Sequence, residues 1–186
     1  TGTSVEMEEF LKNIDEKEVF SINGQVPWYA SSVFRMMWIK KNKPDVYKKT
    51  YKWLLIQDYI NYKLCDKYAS DYTISSTTLI MNQKRRNWSE RILDAAGIDG
   101  KILPSLKQSG TMLGRITKKA FRETGLKAGT PVIIGGHDNI CGSLAAAGHR
   151  QDILVDIGGT FESIILHSKQ PLLSEQYLDS NLISEA

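Results

Sequence analysis

Apolar positions along the chain change their spacing several times, and each change marks an element. Over residues 4–17 a cap-like Ser4 is followed by Val5, Phe10, Leu11 and Ile14 among charged residues. That pattern predicts an exposed amphipathic helix. Asn23-Gly24 marks a turn, which Pro27 closes. Over 32–41, Val33, Met36, Met37, Trp38 and Ile39 predict a second helix that is largely buried. Pro44 suits a first helical turn, and Val46, Tyr47, Thr50 and Tyr51 follow at helical spacing, the aromatic and methionine positions of these segments being expected in the core. Residues 54–56 read as a short strand and 58–64 as a further helix.

The segment 70–78 is dense in hydroxyls, and Asp71 or Thr73 can cap a helix running to about Met81. Asn87-Trp88-Ser89-Glu90 opens another helix, with Ser89 as a second possible cap and Gly97 as its end. Pro104-Ser105 reads as a turn. Residues 117–124 read as a helix, with Gly125 just past it. Then comes the stretch on which the chain is organised. Residues 131–134 are apolar and β-branched, which predicts a buried strand. Gly135 and Gly136 follow at once, then His137, Asp138 and Asn139, then a helix of small and apolar residues over 140–147 with Gly148 as a stop. Beyond it, 152–156 and 163–167 read as two strands joined through Gly158-Gly159-Thr160, a hairpin-like unit. The chain shows no internal repeat and no low-complexity segment.

Composition narrows the picture. The chain has 186 residues, 41% of them apolar, enough for one domain, or for one domain and part of another. Its formal charge of +3 comes from 24 basic and 21 acidic residues, well mixed. This gives no reason to expect nucleic acid or an anionic membrane as partner. The one tight basic cluster, Lys84-Arg85-Arg86, is expected to be a solvated turn. Cys65 and Cys141 lie far apart with no metal-ligand spacing, so reduced, buried thiols in a cytoplasmic protein are expected. There is no apolar run of membrane-spanning length and no signal-peptide pattern. The opening Thr1-Gly2-Thr3-Ser4 lacks an initiator Met, so a fragment or processed chain is expected.

The glycine turn with its polar tip is the candidate site. In α/β folds ligands bind at the carboxyl ends of strands, and helix N-termini attract anions. Asp138 has two readings: a plain N-cap, or a catalytic or ligand-binding carboxylate. A glycine pair, a small-residue helix and a polar cluster are more than a cap requires. The second turn, with Thr160, could cradle phosphate as a nest of amides and a hydroxyl. A carboxylate facing a phosphate suits phosphoryl transfer to an alcohol. A carboxylate is far too weak a base to ionise an alcohol beforehand, so Asp138 would orient the hydroxyl and take its proton late. Mg²⁺ would bridge phosphate oxygens.

Several stretches together resemble the FGGY carbohydrate kinases, the family of xylulokinase, ribulokinase and glycerol kinase. Ser32, Arg35, Met36, Trp38, Ile39, Lys41 and Asn42 are similar to a family signature built on a Lys-x-x-Trp core. Lys52-Trp53-Leu54-Leu55 with Asp58, Tyr59 and Tyr62 resembles the segment after it. Asp71-Tyr72-Thr73 with Ser75, Ser76 and Thr78, then Asn87-Trp88-Ser89, resemble the next pair of motifs, and Leu103-Pro104 a recurrent element. Gly135-Gly136-His137-Asp138-Asn139 resembles the family's triple-glycine, aspartate and amide motif. Gly159-Thr160 with Glu162 resembles its Gly-Thr-Ser-Glu turn.

The resemblance implies an α/β, ribonuclease-H-like fold of the actin/hexokinase ATPase type. This chain would hold residues 1–149 as the later part of the first domain, and 150–186 as the opening β-hairpin of the second. It implies ATP and Mg²⁺ as cofactors and a small sugar or polyol as substrate, a ketopentose or small polyol being expected. Asp138 would be the catalytic base, Asn139 and His137 would bind substrate, and Gly159 and Thr160 would approach the ATP phosphates. No residue would bind the metal directly, although Asp138 could through water. A second copy of the chain is a candidate partner. There are departures from the family pattern. Arg35 replaces a lysine, and Ala30 stands where a small or aromatic residue usually can face the substrate. His137 replaces a third glycine, where it could read the sugar or serve a structural or solvent-facing role. Phe161 replaces a serine. The family's first phosphate loop, an Asp-x-Gly-Thr pattern, and its adenosine pocket are absent from these residues. Asp156-Ile157-Gly158-Gly159-Thr160 mimics the loop in letters, but its place after Asp138 marks it as the second turn. A kinase fragment, inactive alone, is therefore expected. The alternatives are a non-catalytic sugar sensor or scaffold of the same family, and another ATPase of the same superfold.

Overall fold

The single amphipathic helix expected over 4–17 is two helices. The computed structural model describes residues 3–147, 150–158, 162–180 and 182–185. In it α1 (Ser4–Leu11) ends, and α2 (Glu16–Asn23) restarts behind Asp15, whose carboxylate accepts from the Lys17 N–H at 2.8 Å. An aspartate bonded to its own backbone in this way favours a cap over a helix interior. The break lets Phe10, Ile14, Val19 and Phe20 all turn inward, so this part of the chain is core rather than surface. Gly24 closes α2 at φ 77°, a left-handed conformation that glycine adopts without strain.

The next helix, α3 (Ser32–Asn42), buries Val33, Phe34 and Met36, while Met37, Trp38 and Ile39 stay half-buried. The rings of Phe34 and Phe10 meet edge-on, 5.5 Å apart. Burying a side chain of this size contributes about 1.5–3 kcal/mol. α4 (Pro44–Lys49) starts on its proline, as expected. It is short and packs on α3, so Tyr51, expected in the core, is exposed, as is Val46. No strand forms at 54–56. That segment leads into α5 (Ile56–Cys65), with the Asp58 carboxylate reaching back to the Leu55 N–H at 3.2 Å.

Beyond α5 lie β1 (Ala69–Asp71) and α6 (Tyr72–Ser76), which stops well short of Met81. Its hydroxyls explain the early stop. Ser76, Thr77 and Thr78 each donate to a carbonyl three residues back, and such bonds compete with helix propagation. A small hairpin of β2 (Met81–Asn82) and β3 (Asn87–Trp88) carries Lys84, Arg85 and Arg86 on its exposed turn. α7 (Glu90–Ala96) begins behind Ser89, whose hydroxyl accepts from Ile92 N–H, and ends at Gly97. β4 (Ser105–Lys107) starts where a turn was expected and pairs in parallel with β1, Ala69 opposite Ser105. β5 (Met112–Arg115) pairs antiparallel with β6 (Pro131–Ile133), and α8 (Lys118–Thr124) lies between them in sequence, capped by Thr117. α9 (Asp138–Ala147) precedes the expected hairpin, β7 (Leu154–Gly158) and β8 (Glu162–Leu166), and an unpredicted α10 (Glu175–Asp179).

The larger core gathers Phe10, Val33, Phe34, Ile80, Ile92 and Leu103. A smaller one, of Cys65, Ile116, Ala120 and Val132, sits under β5 and β6. The predicted buried strand is covered on one face only: Val132 and Ile134 are buried, whereas Pro131 and Ile133 are exposed. Of the two cysteines, Cys65 is buried as expected, but Cys141 is exposed on α9.

Candidate active site

Three chain segments meet at the carboxyl ends of β1, β4 and β6. Asp71 ends β1, Ser109 lies just beyond β4, and the glycine turn follows β6. Asp71 is fully buried. It accepts from the Thr73 N–H at 2.8 Å and the Ile74 N–H at 3.2 Å, and also from the Thr73 hydroxyl, the Gln57 amide and, at 3.4 Å, the Ser109 hydroxyl. A buried carboxylate needs such a set of donors to stay charged. Asp58, also buried, is less well provided. Burial pushes its carboxyl up to about 6, the Asp71 charge adds to this, and bonds from Ser70 and the Leu55 N–H oppose it.

The turn is built on that platform. Ile134 is buried, its N–H bonds Thr111 O at 2.9 Å and its carbonyl accepts from Gly110 N–H at 2.8 Å. Gly136 sits flush against the platform: a Cβ there would lie 3.0 Å from Cys141 Sγ and 3.2 Å from both Ser109 Oγ and Thr73 Oγ1. The His137 N–H donates to Thr73 Oγ1 at 2.7 Å, and the His137 carbonyl accepts from Cys141 N–H at 2.9 Å, which opens α9.

Asp138 is therefore the first residue of α9 and not its N-cap. Its side chain is 92% exposed, and among backbone donors of the described residues its Oδ1 accepts from the adjacent Asn139 N–H, at 2.9 Å. A carboxylate here sits at the positive end of the helix dipole. Asn139, half-buried, lines a cavity of about 330 Å³ shared with Ser163, His167, Ser184 and Glu185.

His137 does not face solvent. Its Nδ1 lies 2.8 Å from Glu185 Oε2 and its Nε2 lies 3.3 Å from Asp138 Oδ1. The hydrogen bond with Glu185 is the main reason its pKa is raised above 6.5. The charges of Glu185, Asp138 and Asp71 add to this, and burial opposes it. Glu185 is delivered by an anchored segment. The Ser184 N–H bonds Gly24 O at 2.7 Å, and the Ser184 carbonyl accepts from Gln83 at 2.8 Å and Gln25 at 3.0 Å. Nothing local to residue 185 announces this role, since its partner lies 48 positions away.

The structure thus brings His137, Asp138 and Asn139 together. Gly159 and Thr160, the expected phosphate contacts, lie outside the described residues. The hairpin that would carry them is present, with Gly158 paired opposite Glu162, and α9 runs against β7. Among the described residues no group of three or more His, Cys, Asp or Glu side chains could hold a metal ion directly.

This mixed α/β arrangement, with its turn-borne carboxylate, has the ribonuclease-H-like fold of actin/hexokinase-type ATPases. It superposes on a ligand-bound xylulose kinase from Lactobacillus acidophilus with a TM-score of 0.82, at 22% identity over 92% of this chain and 35% of that one. It superposes on Plasmodium falciparum glycerol kinase with ADP at 0.80, with 17% identity over 89% of this chain and 33% of that one. The sequence model for the N-terminal domain of the FGGY family of carbohydrate kinases matches residues 1–145, and the chain belongs to that family. Among curated relatives, an autoinducer-2 kinase from Salmonella typhimurium is 33% identical over 167 residues, 90% of this chain and 31% of the relative. One from Yersinia pestis is 33% identical over 168 residues, 90% of this chain and 32% of the relative. The chain thus spans about a third of the length of the curated relatives it matches.

Proposed function

We propose that these residues belong to a cytoplasmic kinase that transfers the γ-phosphoryl group of ATP to a hydroxyl of a small sugar or polyol, with Asp138 as the base. The observation that carries the reading is the Asp138 carboxylate: exposed, at the start of α9, beside a glycine turn held on a buried polar platform. Asp138 accepts a hydrogen bond from the acceptor hydroxyl and aims its lone pair at the phosphorus. It takes the proton as the new P–O bond forms and the bond to the ADP oxygen breaks. The transferred group is loose and metaphosphate-like, so positioning and charge neutralisation dominate. Asn139, on the cavity wall, bonds another hydroxyl of the acceptor. His137, clamped by Glu185, presents Nε2 to the same region. Gly159 and Thr160 meet the ATP phosphates. Mg²⁺ arriving with ATP would supply neutralisation of phosphate charge, and Asp138 would be the residue to hold it, through water.

Residues 1–149 form the later part of the N-terminal domain and 150–186 open the C-terminal one. The N-terminal-domain match ending at residue 145 supports that division. The relatives' printed names put autoinducer-2 among the acceptors to try, beside ketopentoses and polyols. The test is ADP release by the complete kinase carrying these residues, with Mg²⁺–ATP and a panel of xylulose, gluconate, glycerol and autoinducer-2. One acceptor raising ADP release well above the ATP-only rate supports the reading. Turnover that ignores every acceptor contradicts it and favours a plain ATPase. Tight acceptor binding without turnover favours a sensor.

A further inference from the structure

We propose that Thr73 is the positioning residue for the turn that carries Asp138, with the buried Asp71 carboxylate as its anchor; this rests on the reading of Asp138 as the base. The Thr73 side chain has one proton to give, and it gives it to Asp71 Oδ1. The same Oδ1 accepts the Thr73 N–H at 2.8 Å, so the residue is held at two points. With its proton committed, the hydroxyl offers a lone pair outward, and the His137 N–H takes it at 2.7 Å. His137 is adjacent to Asp138 and supplies the carbonyl that starts α9. A single hydroxyl therefore ties a fully buried carboxylate on β1 to the residue before the base, 64 positions away in sequence. Gly136 fits this arrangement. Its Cα passes so close that a Cβ would meet Thr73 Oγ1, Ser109 Oγ and Cys141 Sγ. Gln57 and Ser109 hold Asp71 from two further segments.

Thr73→Val keeps the shape but removes both bonds, leaving the His137 N–H without its acceptor and Asp71 short of a donor. Thr73→Ser keeps both. The variants are compared in the complete kinase, with kcat and KM measured using the acceptors xylulose, glycerol and autoinducer-2, and hydrogen exchange followed at the His137 amide. A misplacement of about 1 Å can cost about a hundredfold in rate. Thr73→Val is accordingly expected to lower kcat by about ten- to a hundredfold, with KM for Mg²⁺–ATP within about twofold. Exchange at His137 becomes faster, and Thr73→Ser restores both readouts. Wild-type kcat and unchanged exchange in Thr73→Val overturn the proposal, as does a Thr73→Ser variant as impaired as the valine one. If Thr73→Val does not fold, Gly136→Ala replaces it. That variant crowds the Thr73 hydroxyl against the turn without touching Asp71, and an unchanged kcat together with unchanged exchange at the His137 amide overturns the proposal too. Should Asp138→Asn prove fully active, the base reading fails on its own. The His137 exchange rate then still decides whether Thr73 holds the turn.

Discussion

A carboxylate one residue inside a helix differs from a carboxylate at its cap, and Asp138 illustrates the difference. A capping aspartate has its oxygens taken up by amides two and three residues on. Among the described residues Asp138 meets the Asn139 amide and the imidazole of His137, both through Oδ1. The imidazole is in turn set by Glu185. Because the His137 pKa is raised, the pairing stabilises the fold fully below 6.5 and this stability is lost as pH rises through the raised value. Glu185→Gln is expected to bring the His137 pKa back down toward 6.5 in an NMR titration; an unchanged titration would show that the pair does not form. Asp58 has the opposite balance. Its folded pKa of about 6 exceeds the ordinary 3.8, so the folded state holds the proton more tightly and stability falls as pH rises between those values. Asp58→Asn keeps an acceptor for Leu55 N–H and carries no charge. It is expected to be at least as stable as the wild type to urea at pH 7, with its advantage shrinking as pH falls below about 6. A wild type that gains on the variant as pH rises contradicts the assignment.

Among elements, helices with both a start and a stop signal were legible in sequence. Ser89, the second of two possible caps, bounds α7 with Gly97; Gly125 ends α8 as read, while Thr117 is its cap rather than its first residue. Two misreadings of helix length share one cause: a side chain that bonds its own backbone. Asp15 splits the first helix, and the hydroxyls of residues 76–78 end α6 early, where apolar spacing alone predicts continuation. Tyr51 and Cys141 are exposed where burial is expected, because helical spacing says which face is apolar and not whether a partner covers it. The dense hydroxyls around Asp71 did signal a special segment, but only as a cap. Its partners Gln57, Ser109 and His137 come from other elements, out of reach of local reasoning. Gly24 shows the same long-range dependence. With φ at 77° and a Cβ landing 2.8 Å from Ser184 Cβ and 2.9 Å from Leu173 Cδ2, Gly24→Ala both strains α2's end and pushes off the segment bearing Glu185. The strain alone costs about 1–2 kcal/mol. Calorimetry should show a lowered Tm; an unchanged Tm means the segment does not dock there.

For the molecule as a whole, the order of motifs carried more than any one of them. The glycine turn, the following hairpin and the family were readable in sequence, and the fold and the match over residues 1–145 agree with that reading. The Asp71 platform and the Glu185 clamp were not, because both depend on contacts made only once distant strands and helices pack. The base role proposed for Asp138, the carboxylate that this packing presents, is measured most directly by acceptor-dependent ADP release from the complete kinase with Asp138→Asn, alongside the thermal stability of the same variant. Asparagine matches the shape and bonds the same amide, but cannot take the proton. The expected outcome is a kcat lowered by about a hundredfold or more, with Tm nearly unchanged. A variant that turns over acceptor at close to the wild-type rate would contradict Asp138 as the base.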